Sequence, residues 1–134
     1  MKCLPCLEHN LPEGTKRLKS TDVLLQVCDY MNLEITEVLK RSRKQHLVNV
    51  RMIATYLLRR DRYLNLSLKS IAFCIGMRDH STIIHSIKKV EGEMEVYPEF
   101  RNLVYNIFLY VYGSDSYYPE HLKKKIKQVR KEAA

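Results

Sequence analysis

The stretch from Ser67 to Val90 constrains the fold of this chain more than any other. Leu68, Ile71, Ala72 and Ile75 fall at i, i+3, i+4 and i+7, which gives a short helix one apolar face. Gly76 then supplies a left-handed residue able to end it. A second helix is predicted to start at once. Asp79 can accept a hydrogen bond from a free amide of the next turn, and Ile83, Ile84, Ile87 and Val90 form the buried stripe. Two short helices joined by a glycine-containing turn predict a helix-turn-helix, whose second helix enters a DNA major groove.

The exposed side of that second helix carries the chemistry. Opposite the isoleucines lie Ser81, Thr82, His85 and Lys89, with His80 in the first turn. Arg78 can clamp a phosphate or a guanine, Asp79 can accept from a cytosine amine while capping the helix, and His80 can donate to an acceptor edge. Ser81 and Thr82 offer hydroxyls, and a threonine methyl fits a thymine methyl. Lys88 and Lys89 are candidate phosphate contacts. Ser67 is predicted to cap the first helix, so that its free amides, with Lys69, can hold a phosphate and fix register. The competing structural roles are plain: Asp79 as a cap only, Thr82 bonded to the helix backbone, His85 packed or facing water. Ser81, the two histidines and an aspartate do not form a catalytic set. Neighbours on one helix cannot line up nucleophile, base and orienting group, so no enzymatic activity is expected.

The run Arg78, Asp79, His80, Ser81, Thr82, with His85 after it, resembles the signature of the C-terminal DNA-binding domain of the bacterial chromosomal replication initiators, the DnaA family. In that family an Arg-Asp-His-Thr-Thr run opens the recognition helix; here Ser81 replaces one threonine and keeps the hydroxyl. The resemblance covers Thr21 to about Phe108. It implies an all-α bundle of about six helices, similar to the Trp-repressor-like initiator domain, binding duplex DNA at an asymmetric box like those of replication origins. It also implies an arginine from the basic loop KRSRK in the minor groove, Arg43 in the first place or Arg41, with Lys44 beside them. Arg51 resembles the arginine the family uses near the start of the next helix, although Val50 stands where a proline is common. The implied partners are double-stranded DNA and a replication initiator or other replication protein.

Charge fits a polyanionic partner: the formal net charge is +8 and the isoelectric point is near 9.4. The charge is sectored. Eight basic residues stand between Lys40 and Arg62 against one acid, Asp61, whereas Glu91, Glu93, Glu95 and Glu99 gather elsewhere. No G-x-x-x-x-G-K-[ST] run occurs, so no ATPase of its own and no cofactor is expected, nor any small-molecule substrate. No apolar run reaches the roughly 18 to 20 residues of a membrane span, and the first residues lack a signal-peptide pattern. The expected location is the cytoplasm, at the nucleoid. Of four cysteines, Cys28 and Cys74 occupy apolar helical positions, and the Cys3/Cys6 pair lacks a second pair at zinc spacing. No metal site is expected.

Along the chain, residues 1–20 read as an irregular lead-in, 21–112 as the DNA-binding domain and 113–134 as a basic tail or helix. Thr21 is predicted to cap a first helix with Val23, Leu24, Val27 and Cys28 inward, and Ile35, Val38 and Leu39 mark a short second one. Leu47 to about Arg62 reads as a long helix with Val50, Ile53, Ala54, Leu57 and Leu58 inward. Its end, Arg59, Arg60 and Arg62, complements the helix dipole. Past Glu99 an apolar and tyrosine-rich helix is predicted to close the core. Residues 120–134 carry six Lys or Arg against two Glu, as a frayed tail or a strip along the DNA backbone. Two other functions stay open: an adaptor that holds a protein through the tyrosine-rich helix, and a nucleic-acid binder without sequence preference. The role itself divides between regulation of replication and of transcription.

Overall fold

The computed structural model describes residues 15–40, 44–76 and 79–133, with side chains to Ile126. These residues form seven helices and no strand: α1 (Ser20–Tyr30), α2 (Ile35–Leu39), α3 (Gln45–Arg60), α4 (Leu68–Ile75), α5 (His80–Val96), α6 (Pro98–Tyr112) and α7 (Glu120–Ala133). The all-α expectation holds, and α7 is the helix beyond the expected six.

Helix α3 is the axis of the bundle. Every residue from Val50 to Leu58 is buried, because α1, α2, α4 and α5 pack around it. The residues expected to face inward do so, with Val50, Ile53, Ala54, Leu57 and Leu58 all at 0% exposure. Helix α6 lies against α1 and α5, and α7 against α6. In α5 the stripe divides: Ile83 and Val90 are buried while Ile84 and Ile87 are half-buried, and Ser86 and Met94 complete the inner face.

Three boundaries differ from the sequence reading. Helix α1 starts one residue earlier, at Ser20, and its N-cap Lys19 makes no side-chain cap bond. Thr21 is therefore no cap; the Lys19 carbonyl already accepts from Val23 N–H at 3.0 Å, which places Thr21 inside the first turn. Helix α3 runs from Gln45 rather than Leu47 and stops at Arg60. There Asp61 turns extended, and its buried carboxylate accepts from Leu64 N–H at 3.0 Å and Tyr112 O–H at 2.9 Å. Burial pushes the Asp61 carboxyl above the usual range, against the bonds from Leu64, Tyr112 and Tyr63. Arg60 Nε donates to the Tyr117 carbonyl at 2.8 Å and Arg62 Nη2 to Ser116 at 3.4 Å. These arginines tie α3 to the residues before α7, beyond any effect on the dipole.

The end segments are packed as well. Tyr117, Tyr118, Leu122 and Ile126 are buried in the core, and Tyr118 meets Phe108 and Tyr105 edge-on at 5.5 and 5.0 Å. Residues 15–19 are not helical, but Lys16 N–H donates to the Tyr112 carbonyl and Thr15 Oγ1 lies 3.0 Å from Ser114 Oγ.

Candidate nucleic-acid interface

Helix α4 begins at a built cap. Ser67 Oγ accepts from Ser70 N–H at 3.2 Å and donates to Ser70 Oγ at 3.0 Å, and Lys69 stands exposed beside them. The helix ends at Gly76, whose φ of 79° and ψ of 22° lie in the left-handed region. Its amide bonds to Ala72 and Phe73 carbonyls, and an added Cβ would lie 3.7 Å from the Leu39 carbonyl oxygen. Space is adequate there; backbone strain is what favours glycine. The next described helix, α5, begins at His80.

The start of α5 is fastened by Asp79. Its Oδ1 accepts from Ser81 N–H at 2.9 Å and from Ser81 O–H at 2.6 Å. Those two bonds hold the Asp79 carboxyl below its ordinary value, since both favour the ionised form. The cap therefore spends the Ser81 proton internally. It leaves the Ser81 oxygen and Asp79 Oδ2 to meet outside groups. His80, Ser81, Thr82, His85, Lys88 and Lys89 are all exposed, opposite buried Ile83, Ser86 and Val90. One helix face thus presents imidazole, hydroxyl and ammonium groups together, a set suited to base edges near the helix start and phosphates further along.

The other candidates are placed less evenly. Lys44 is exposed at the N-cap of α3, where no side chain caps. Arg51 is buried at 7% exposure, and its Nε donates to the Leu47 carbonyl at 3.3 Å. Desolvation lowers its pKa from the usual guanidinium value. Arg41, Arg43 and Arg78 lie outside the described residues. Cys3 and Cys6 do as well. Among the described residues no group of three His, Cys, Asp or Glu side chains is placed to hold a metal ion, and no helix is long and apolar enough to cross a membrane.

Two features escaped the sequence reading. Phe73 is 87% exposed on the face of α4 that carries Lys69, one turn away. It stands off the Leu68, Ile71, Ala72, Ile75 spacing, so a helical wheel would have found it. Lys88 borders a cavity between α3, α5 and the start of α7, and no local pattern signals that.

The tyrosines of α6 are mostly structural. Tyr112 is fully buried and Tyr105 is 8% exposed, bonding Asp115 at 3.0 Å. Tyr110 is exposed but bonds Asp29 and meets the Tyr30 ring at a tilt, with centroids 5.3 Å apart.

Residues 20–90 match the family described as the bacterial dnaA protein helix-turn-helix. The chain is also similar to the chromosomal replication initiator protein DnaA of Bacteroides thetaiotaomicron, at 37% identity over 93 residues covering 69% of this chain and 19% of that protein. For the Bacteroides fragilis protein of the same name the identity is 34% over 93 residues, with the same coverage of each chain. For that of Thermomicrobium roseum it is 39% over 72 residues, 54% of this chain and 15% of the other. The chain thus spans about a fifth of the length of the first two relatives. The family match ends at residue 90, within α5, whereas the relatives align over a longer stretch of the chain. With the capped α4, the left-handed Gly76 and the Asp79-fastened α5 inside the matched residues, this chain belongs to the bacterial DnaA helix-turn-helix family and is a DNA-binding domain of that type.

Proposed function

We propose that the domain reads a specific duplex sequence, a box of the kind bound by replication initiators, and acts in the control of replication or transcription. Asp79, His80, Ser81 and Thr82 meet base edges in a major groove, with Arg78 from the same run. Ser67 and Lys69 hold a flanking phosphate, and Lys89 a second one. Arg43 or Arg41, with Lys44, reaches the adjacent minor groove, and Arg51 supports that side once its side chain swings out from the Leu47 carbonyl. The observation that carries this reading is the start of α5. A cap that consumes one serine proton leaves His80, Thr82 and His85 exposed on one face, with no side-chain hydrogen bond among the described residues. Duplex DNA is the partner. A replication initiator that shares the box is a further candidate partner.

The reading is tested by comparing an initiator-type box with a scrambled duplex near physiological salt, for the wild type and His80→Ala. A preference of about tenfold that the substitution reduces is expected, because a lost base contact costs about 1–3 kcal/mol. Equal, salt-sensitive binding of both duplexes would leave only general attraction to the phosphate backbone.

A further inference from the structure

Phe73 is the most exposed large apolar side chain among the described residues, at 87%, and it stands on α4 one turn from Lys69. An aromatic ring left in water gains from any apolar surface that covers it. Leu39, 40% exposed at the end of α2, packs at the same end of α4. Its Cδ2 is 3.8 Å from where a Cβ of Gly76 would be, and the Gly76 amide bonds the Phe73 carbonyl at 3.2 Å. Phe73 and Leu39 thus form an apolar knob with a cation beside it.

A groove of about 370 Å³ opens at the other end of α2, against the second half of α1. Leu25, Cys28, Leu33 and Ile35 give it apolar walls, and exposed Asp29 and Glu34 stand at its rim. Leu25 is 45% exposed, so the groove shows apolar surface to water. Neither carboxylate has an ion pair among the described residues, and Lys69 has none either. The Asp29 carboxylate accepts the Tyr110 O–H, and Glu34, at the N-cap of α2, makes no side-chain cap bond. Knob and groove match in kind, apolar to apolar and ammonium to carboxylate. Phe73 does not enter the groove of its own chain, since its ring is open to water. A second chain brings the two together.

We propose that two copies of this chain pair in solution, with Phe73 of each seated in the α1–α2 groove of the other and Lys69 facing Asp29 and Glu34. Knob and groove flank the two ends of α2, which is five residues or about 7.5 Å long, so one two-fold arrangement makes both contacts at once. The pair closes there, whereas a one-sided contact would propagate into open chains. A DNA strand would cover the ring and leave the acidic groove open; a second copy fills both. Lys69 cannot serve a DNA phosphate and the other copy's carboxylates together, so the pair belongs to the DNA-free protein.

The test is sedimentation equilibrium of the whole chain, without DNA, from about 10 μM to about 1 mM, the range in which a small interface associates. A monomer–dimer equilibrium is expected. Phe73→Ser should weaken it about tenfold and, as a change at an exposed site, leave the melting temperature unchanged. Lys69→Glu and Glu34→Lys should each weaken it about fivefold, and the two together in one chain should recover most of the loss. Net charge moves in opposite directions in the two single variants, so a loss in both reports a local contact. A monomer across the whole range, growth past the dimer, an unchanged constant in Phe73→Ser, or no recovery in the double variant would overturn the pair. So would a Phe73→Ser chain that keeps the wild-type dimer constant but binds duplex less tightly, a result that assigns the ring to the strand. The measurement contains no DNA, so the His80→Ala result on box preference leaves it untouched and the two readings fail separately.

Discussion

At its amino end α5 is capped by one short-range device, the Asp79 carboxylate on Ser81, and no other helix among the described residues hydrogen-bonds to the side chains of its exposed face there. At its carboxyl end the same helix is gripped from two sides. Buried Arg101 of α6 donates to the Met94 and Glu95 carbonyls at 2.8 and 3.0 Å, and His121 and Lys125 of α7 meet the Glu95 side chain. One end is fixed by itself and kept free; the other is fixed by its neighbours and kept occupied. Arg101 satisfies the orphan carbonyls that every helix end carries. The contrast shows how a helix can be held rigidly without covering the exposed polar residues of its first turns.

The comparison breaks first through packing. Met94 is fully buried, so Met94→Ala should destabilise the domain by about 2–5 kcal/mol in thermal unfolding, while leaving the ranking of duplexes unchanged below the transition. A change of sequence preference would mean that the gripped end also shapes the reading end. Gly76→Val acts at the other end. At φ of 79° a β-branched residue should cost about 1–2 kcal/mol or more, and it should weaken duplex binding beyond the loss of stability because it re-aims α5. Ser67→Ala removes the α4 cap and should cost about 1 kcal/mol, read as a lower denaturation midpoint.

Titration sharpens the contrast further. The Asp79 carboxyl is depressed in the folded state, so its contribution is present above the unfolded value near 3.8 and fades as pH falls through the folded one. Asp61 has the opposite sign. Its folded value is raised, so protonation favours the native state, and this contribution appears as pH falls from the folded value toward 3.8. The wild-type minus Asp61→Asn difference in stability should therefore move in the wild type's favour on acidification, and the difference for Asp79→Asn should move against it. Both are measured by urea unfolding as a function of pH. The smallest effect belongs to Glu95→Gln: its partners are exposed, and the melting temperature should change by about one or two degrees.

Local rules were legible in the sequence. Ser67, Gly76 and Asp79 each act within a few residues of themselves, so spacing alone located the two helices and the turn between them. Apolar period likewise placed Ile83, Val90 and the inner face of α3. Thr21 failed because a capping residue type is permissive, and the Lys19 carbonyl had already started the helix. The end of α3 failed for another reason. Asp61 reads as a surface acid among arginines, and only the arrival of Tyr112, 51 positions away, makes it a buried acceptor. The docking of α7 was hidden in the same way, since Leu122 and Ile126 are two apolar residues in a lysine-rich run and their partners come from α6 and the Tyr117-Tyr118 pair. The exposed faces of Asp79 to Thr82 were legible, but the burial of Arg51 was not, because a motif position carries no measure of depth.

The bond from Arg60 to Tyr117 also bears on the order in which the domain is made. Tyr118 covers Phe108, and Tyr117 covers Tyr112, so the face of α6 stays open until residues 113–118 have been synthesised. A nascent chain that already holds the complete helix-turn-helix therefore still exposes an aromatic surface, and for that interval it is open to misassociation with other unfinished chains. Arg60, Arg62 and Thr15 all gain their partners at residues 114–117 when this segment emerges, and Leu122 and Ile126 of α7 complete the core after it.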